Sequence, residues 1–173
     1  PKLPYNAVKD FAYIGQVGTA AIALVATLDV PANTLPELVA LLAECALPFG
    51  DLTETHLREF LVCRDGGRLV ATAGLELCDD AVLLRSLAVA TTHRGRGLAT
   101  RLVDTLERRA RAKRQRVVFL LTTTVPGFFA ARGFRPVERQ LVPVAIAATT
   151  EFRSLCPASA LCMRKRLDGE APP

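Results

Sequence analysis

The chain has 173 residues, half of them apolar and about a quarter charged, which suits one folded domain with a buried core. No apolar run approaches the ~20 residues needed to cross a bilayer, so we expect no membrane-spanning helix. The formal net charge is +5, and the whole excess lies in 94–116, which holds nine basic and two acidic residues. This segment carries no interleaved aromatics, so its charge favours one anionic ligand over nucleic acid.

The five cysteines are an odd number at irregular spacings, which predicts a reducing, cytoplasmic compartment rather than a disulfide framework. The apolar stretch 20–26 is similar to the core of a signal peptide. It follows Asp10 instead of a basic segment and leads into a capped helix, so we interpret it as part of the fold. We expect 1–18 to be an N-terminal lead, 19–168 to form the domain and 169–173 to be a tail.

Hydrophobic periodicity and turn residues predict a mixed α/β domain. The predicted elements are, in chain order, a strand over 20–28, a helix capped by Thr34 and Glu37, a short helix over 54–60, strands over 60–63, 69–77 and 81–90, an amphipathic helix with Leu98, Leu102, Leu106 and Ala110 on one face, a strand over 117–125, a short helix over 128–132, and strands over 135–144 and 160–166. The segment 145–155 is predicted to be irregular or helical. This order predicts a mixed sheet covered by helices in a single three-layer domain.

The sharpest motif is Arg94-Gly95-Arg96-Gly97-Leu98-Ala99, between a buried strand and the amphipathic helix. Glycines let backbone N–H groups approach a ligand closely, and the start of a helix carries a partial positive charge. Such a turn suits a pyrophosphate, and a plain strand-to-helix connection is the alternative. The segment matches neither the P-loop nor the dinucleotide-binding glycine pattern.

The run from Leu87 to Ala99 resembles the R/Q-x-x-G-x-G/A motif of the GCN5-related N-acetyltransferases (GNAT), together with its preceding strand. The segment Phe128-Phe129-Ala130-Ala131-Arg132-Gly133-Phe134 is similar to the second signature of that family, an aromatic helix that ends in Gly-Phe. The resemblance covers roughly 20–167. It implies the acyl-CoA N-acyltransferase fold, acetyl-CoA as co-substrate and no metal.

The resemblance also implies roles for particular residues. The backbone of the Leu87, Ala88 and Val89 strand would pair with the pantetheine arm, and the Leu87 N–H, or that of Ala88, would polarise the thioester carbonyl. The amides of 94–99 would hold the pyrophosphate. The residues expected to flank the far end of CoA are Phe128, Phe129 and Arg132.

A closer resemblance concerns the acceptor. The segments 84–89, 120–124 and 154–163 are similar to the arsenic-resistance-operon branch of the N-acetyltransferases. More distantly, the Leu-Thr-Thr run at 121–123 and the Ser159 region are similar to the acetyltransferase domain of N-acetylglutamate synthase. Both likenesses imply that the acceptor is a small amino acid or a glutamate-like analogue, such as a toxic arsenical.

Acetyl transfer to an amine needs a base, because only the neutral nitrogen attacks. Glu76, late in a strand, is the carboxylate best placed to act as this base. The alternative is that Glu76 is an ordinary surface glutamate at the end of a hairpin. The usual acid of the family is a tyrosine in the aromatic helix, and Phe129 stands at that position. Either water or another side chain therefore protonates the leaving thiolate, or positioning alone suffices. Cys156, Ser159 and Thr123 are weak substitutes for the tyrosine.

Arg85 lies in a buried strand and requires a partner, either a substrate carboxylate or an internal Asp or Glu. Cys156 and Cys162 are either a pair of thiols for trivalent arsenic or two small hydrophobic side chains. His93 is expected to face solvent. The candidate substrate-binding residues are Arg85, Ser86, Thr122, Thr123, Cys156 and Ser159.

We therefore predict an acetyl-CoA-dependent enzyme that acetylates a small amine, with neither nucleic acid nor membrane as partner and a homodimer as one option. Two alternatives stay open. One is acetylation of a protein or peptide amine. The other is a non-catalytic protein that binds acetyl-CoA or responds to arsenic, which the missing tyrosine favours.

Overall fold

The structure is a computed structural model that describes residues 35–167. The predicted strand over 20–28, the Thr34 cap, the lead and the tail lie outside the described residues. The helices are α1 (Leu35–Glu44), α2 (Glu54–Leu57), α3 (Leu98–Ala112), α4 (Pro126–Ala130) and α5 (Val144–Ala147). The strands are β1 (Phe60–Asp65), β2 (Arg68–Cys78), β3 (Ala81–Val89), β4 (Val117–Thr122), β5 (Arg135–Pro136) and β6 (Leu161–Arg166).

The six strands form one sheet in the order β1-β2-β3-β4-β6-β5, with both parallel and antiparallel pairs. The predicted mixed α/β fold is confirmed. Single turns of helix complete the described part: 3-10 turns at Thr91–His93 and Arg139–Leu141, and a π-helical turn at Glu151–Leu155. The described residues form two compact units, one of 35–74 and 86–104 and one of 75–85 and 105–167.

In the first unit, β1 and β2 form an antiparallel hairpin whose register runs from Phe60↔Gly74 to Asp65↔Arg68. The turn places Gly66 and Gly67 at φ 54° and 85°, the conformation that a two-residue hairpin turn requires. The register shifts between Cys63 and Arg64, which makes a β-bulge next to the turn. Bulges of this kind redirect the side chains that follow them.

Gly74 allows β2 to pass the fully buried ring of Phe60, since a Cβ at Gly74 would overlap that ring. We expect Gly74→Ala to lower the free energy of unfolding by about 1–3 kcal/mol, the usual cost of overpacking a core. Urea unfolding measures the change, and Gly50→Ala, where a Cβ meets nothing, is the matched control. The added variant Phe60→Leu should restore part of the loss, and an unchanged Gly74→Ala protein would contradict the packing argument.

In the second unit, β3 pairs with β4 in parallel from Ala81↔Val117 to Leu83↔Phe119. Strand β4 also pairs with β6 antiparallel along its whole length, from Val117↔Arg166 to Thr122↔Leu161. One apolar cluster forms against this part of the sheet. Its buried members are Cys78, Ala81, Leu83, Phe119, Val142, Ile146, Phe152 and Cys162.

The long strand predicted over 135–144 is wrong, because only Arg135 and Pro136 pair with β6. Pro136 has no N–H to donate and lies at the sheet edge, where proline is tolerated. The chain then forms the 3-10 turn, and Pro143 caps α5. Apolar residues such as Val144, which is 85% exposed, suggested a strand that the structure does not contain.

Other predicted boundaries also differ, and the short helix predicted over 128–132 spans Pro126–Ala130. Strand β4 ends at Thr122 instead of 125, because the Thr122 hydroxyl accepts the Val125 N–H at 3.3 Å and Pro126 starts α4. The short helix predicted over 54–60 ends at Leu57, and β1 begins at Phe60. The segment predicted to be irregular or helical contains α5 and the π-helical turn.

Candidate active site

The first unit carries an exposed glycine loop, residues 94–97, between the 3-10 turn and α3. Gly95 and Gly97 have φ values of 74° and 75°, a region that side-chain-bearing residues rarely adopt. The first backbone bond of α3 runs from the Arg101 N–H to the Gly97 carbonyl at 3.1 Å. The N–H groups of the first helical turn have no partner within the helix, so the loop end presents donors to solvent. This geometry suits a diphosphate group.

The end of β3 leads into this loop. Within β3, Ser86 has a positive φ of 58°, which is not the extended conformation of its neighbours. Its hydroxyl is buried without a hydrogen-bond partner among the described residues. Leu87 and Val89 are part-buried, and Ala88 between them is buried. The Val89 carbonyl accepts from Arg94 Nε at 3.2 Å, so it already has a partner in this structure. Pairing of this strand with a pantetheine arm stays a prediction.

The second unit holds a buried charged cluster around Arg85, whose side chain is fully buried. Arg85 Nη1 lies 2.8 Å from Glu76 Oε2, and Arg85 Nε lies 2.7 Å from Glu151 Oε2. The two carboxylates come from β2 and from the π-helical turn. Of the two alternatives for Arg85, the structure therefore contains the internal partners, and the guanidinium is engaged on two sides.

Glu76 and Glu151 differ in access. The Glu76 side chain is 21% exposed, whereas that of Glu151 is 7% exposed. Sequence reasoning missed Glu151, because it lies in a segment without a periodic pattern and 66 positions from Arg85. A π-helical turn is often found at functional sites. In this cluster, Glu76 is therefore the carboxylate that a ligand in solution can approach.

Cys156 lies at the edge of the same cluster, with Sγ 3.8 Å from Glu151 Oε1. Burial raises the pKa of the Cys156 thiol to about 11, and the nearby Glu151 carboxylate adds to the rise. Cys162 instead packs in the apolar cluster, 2% exposed, and burial raises its pKa to about 11. The surroundings of Cys162 favour the small-hydrophobe alternative over a shared arsenic site.

Helix α4 carries the aromatic signature in the second unit. Phe129 is 4% exposed and packs edge-on against Phe128 and Phe134, with ring centroids 5.1 and 5.5 Å away. The Arg132 guanidinium lies 5.5 Å from the Phe128 ring centroid. Phe129 thus fills the core of this unit and carries no exchangeable proton.

The remaining candidates are threonine and serine hydroxyls. Thr122 is 8% exposed, and its hydroxyl is used by the Val125 N–H. Thr123 and Ser159 are exposed. The structure therefore brings Glu76, Arg85 and Cys156 together around Glu151 and gives Thr122 a local structural role.

His93 does not face solvent as predicted. Its side chain is 14% exposed, and Nε2 lies 3.0 Å from Asp65 Oδ2. Asp65 was not among the sequence candidates, because it looked like part of an ordinary hairpin turn. Only the fold brings these residues, 28 positions apart, into contact.

Within 35–167, no group of three or more His, Cys, Asp or Glu side chains is arranged to hold a metal ion. No helix of the described part is long and apolar enough to cross a membrane. The predicted cytoplasmic location and the homodimer stay predictions.

The fold and the loop place the chain in a class of proteins with a mixed sheet. In this class a glycine turn follows a buried strand and precedes a long helix. The chain belongs to the acetyltransferase (GNAT) family, whose model matches residues 28–134. The family predicted from the two signatures is confirmed.

Similar proteins add detail. Over 105 residues, the chain is 32% identical to an amino-acid acetyltransferase of Pseudomonas fluorescens. The matched stretch makes up 60% of this chain and 24% of that relative. It therefore spans about a quarter of the length of that relative. An N-acetylglutamate synthase from Neisseria gonorrhoeae, crystallised with coenzyme A and L-arginine, has a TM-score of 0.68 at 23% identity, over 82% of this chain and 32% of that one. A GNAT acetyltransferase from Staphylococcus aureus has a TM-score of 0.68 at 15% identity, over 85% of this chain and 99% of that one.

Proposed function

We propose that the protein transfers the acetyl group of acetyl-CoA to the amine of a small amino-acid-like acceptor. The observation that carries this proposal is the glycine loop at the start of α3, in a chain of the acetyltransferase family. The acceptor class is supported by the similarity to an amino-acid acetyltransferase. Within that class, we propose a glutamate analogue or an amino-acid arsenical as the acceptor.

Binding of CoA begins with its diphosphate. The amides of 94–99 would hold this group, and the basic residues of 94–116 would attract it over a longer range. The backbone of 87–89 would pair with the pantetheine arm. Phe128 and Arg132 are proposed to flank the far end of CoA, and the buried Phe129 is proposed to support them from within the core.

The chemical step requires a proton acceptor for the ammonium of the acceptor. We assign this role to Glu76, directly or through one water, because it is the accessible carboxylate of the cluster. The neutral amine then attacks the thioester carbonyl, and the Leu87 N–H stabilises the developing oxyanion. The C–S bond breaks, and the second proton that the attacking nitrogen must lose passes through water to the CoA thiolate, since Phe129 cannot donate.

Arg85 has a different role in this scheme from the one that the sequence suggested. Its guanidinium contacts two internal carboxylates, so we propose that it orients Glu76 rather than binding a substrate carboxylate. Ser86, Thr123, Cys156 and Ser159 remain proposed acceptor contacts.

One observation favours a second candidate function. The aromatic helix carries phenylalanine at the position of the usual acid, which would suit a protein that binds acetyl-CoA without turnover. Release of free CoA thiol from acetyl-CoA, followed with a panel of acceptors, distinguishes the two. The panel contains glutamate, other amino acids, phosphinothricin and an amino-acid arsenical.

We expect thiol release above the buffer rate with at least one member of the panel. Binding of CoA without turnover of any member would support the second function. A protein that neither binds CoA nor releases thiol would contradict both.

The glycine loop provides a direct test of the cofactor assignment. The double variant Gly95→Ala/Gly97→Ala should weaken CoA binding about tenfold or more, because an alanine in this conformation costs about 1–2 kcal/mol and the loop would shift. Isothermal titration with CoA measures the effect. Gly50→Ala, at a glycine outside this conformation and with equal space, should bind CoA like the wild type. Equal affinities of all three proteins would contradict a role of the loop.

A further inference from the structure

The glycine loop has two fixed ends, and no residue of 35–167 packs against its two glycines. Residues 94–97 are exposed, and a Cβ on either glycine would meet no neighbour. After the loop, Leu98 is 1% exposed and begins α3. Before the loop, the His93 side chain is 14% exposed, whereas Arg94 beyond it is exposed. His93 is therefore the last part-buried side chain on the strand side of the loop, and the side chain of the exposed Arg94 that follows it is held through its Nε, which donates to the Val89 carbonyl.

Two side chains, those of Asp65 and Thr92, form hydrogen bonds with the His93 ring. Nε2 lies 3.0 Å from Asp65 Oδ2, and Nδ1 lies 2.8 Å from the Thr92 hydroxyl oxygen. With Nε2 donating to the carboxylate, Nδ1 of a neutral ring can accept the hydroxyl proton. The backbone N–H of His93 also donates to the Ala90 carbonyl at 2.8 Å. The ring is thus held in one orientation by two side chains.

The partner of His93 is itself held in place. Asp65 ends β1, directly after the bulge between Cys63 and Arg64. Arg64 Nη1 donates to the Gly67 carbonyl across the hairpin turn at 2.6 Å, and Arg64 Nη2 pairs with Glu37 of α1. These contacts fix the end of the hairpin, so Asp65 provides a stable support for the loop.

We infer that Asp65 and His93 are positioning residues that set the entrance of the glycine loop, and that the hairpin end buttresses the diphosphate site. The inference rests on the proposed binding of CoA by this loop. Because a helix start and glycine amides bind an anion only when they converge, a shift of residue 93 moves the donors that follow it.

The test uses CoA as the probe in isothermal titration, with steady-state kinetics as the second readout. His93→Ala and Asp65→Ala should each weaken CoA binding about fivefold, as expected for loss of one charge-assisted hydrogen bond. The double variant should be little worse than either single one, because both remove the same contact. The KM for acetyl-CoA should rise, whereas kcat and the KM for the acceptor should stay within about twofold.

Two conservative variants separate positioning from charge. His93→Gln and Asp65→Asn keep a donor and an acceptor for this contact, and both should recover most of the affinity. His56→Ala is the matched control, since His56 is the other histidine of the chain and contacts Thr53 at the start of α2. It should leave CoA binding unchanged.

Three results would overturn the inference. The first is wild-type affinity in both alanine variants. The second is additive losses in the double variant, and the third is an equal loss in His56→Ala. A wild-type protein that does not bind CoA would overturn the proposed function as well, and would thus be distinguished from a failure of the buttress alone.

Discussion

Arg85→Met is expected to lower the free energy of unfolding by about 3–5 kcal/mol, the usual cost of breaking a buried ion pair by removing one partner. The methionine fills much of the same space but leaves the buried Glu151 and the part-exposed Glu76 without the guanidinium between them. Two carboxylates this close to one cation would then repel each other. Urea unfolding of the purified variant measures the loss.

Arg164→Met is the matched control, because Arg164 is an exposed residue of a strand in the same unit. Its unfolding free energy should change by no more than about 0.5 kcal/mol. Adding Glu151→Gln to Arg85→Met should recover part of the stability, since it removes one of the two repelling charges. If Arg85→Met unfolds at the wild-type urea concentration, the cluster does not stabilise the fold as described.

Glu76→Gln is expected to lower kcat about 100-fold or more, the usual contribution of a positioned general base. The amide oxygen can still accept from Arg85 Nη1, so the geometry of the cluster is retained while the proton acceptor is lost. Steady-state kinetics with the best acceptor of the panel measures kcat. The KM for acetyl-CoA should stay near the wild-type value.

Two variants serve as comparisons. Glu107→Gln makes the same change in another buried glutamate of the same unit, which pairs with Lys165 at 2.7 Å and has no assigned part in the reaction. It should reduce stability but leave kcat within about threefold. Glu151→Gln tests the other carboxylate of the cluster, and a larger loss of kcat there than in Glu76→Gln would transfer the role of base to Glu151.

The sequence predicted those features that depend on neighbouring residues. The glycine loop and the helix behind it were predictable, because Gly95, Gly97 and the four-residue leucine repeat lie within one short segment. The hairpin turn at Gly66 and Gly67 was predictable for the same reason.

Features that depend on distant segments were not predictable. The partners of Arg85 come from β2 and from the π-helical turn, so the sequence could only require a partner without choosing between a substrate and an internal carboxylate. His93 looked solvent-facing until the hairpin placed Asp65 beside it. The strand predicted over 135–144 does not form beyond Pro136. Pro136 has no N–H to donate and Pro143 precedes α5, whereas the prediction rested on the apolar residues between them.

The two-residue strand β5 has a consequence for self-association. It forms the outer edge of the sheet beyond β6, and an exposed sheet edge is normally where a second chain adds a strand and aggregation begins. Among the residues that the structure describes, the outermost strand on this side consists of Arg135 and Pro136, a charged residue and one without an N–H, both exposed. A second copy therefore finds little backbone to pair with on β5, which disfavours growth of the sheet from that strand.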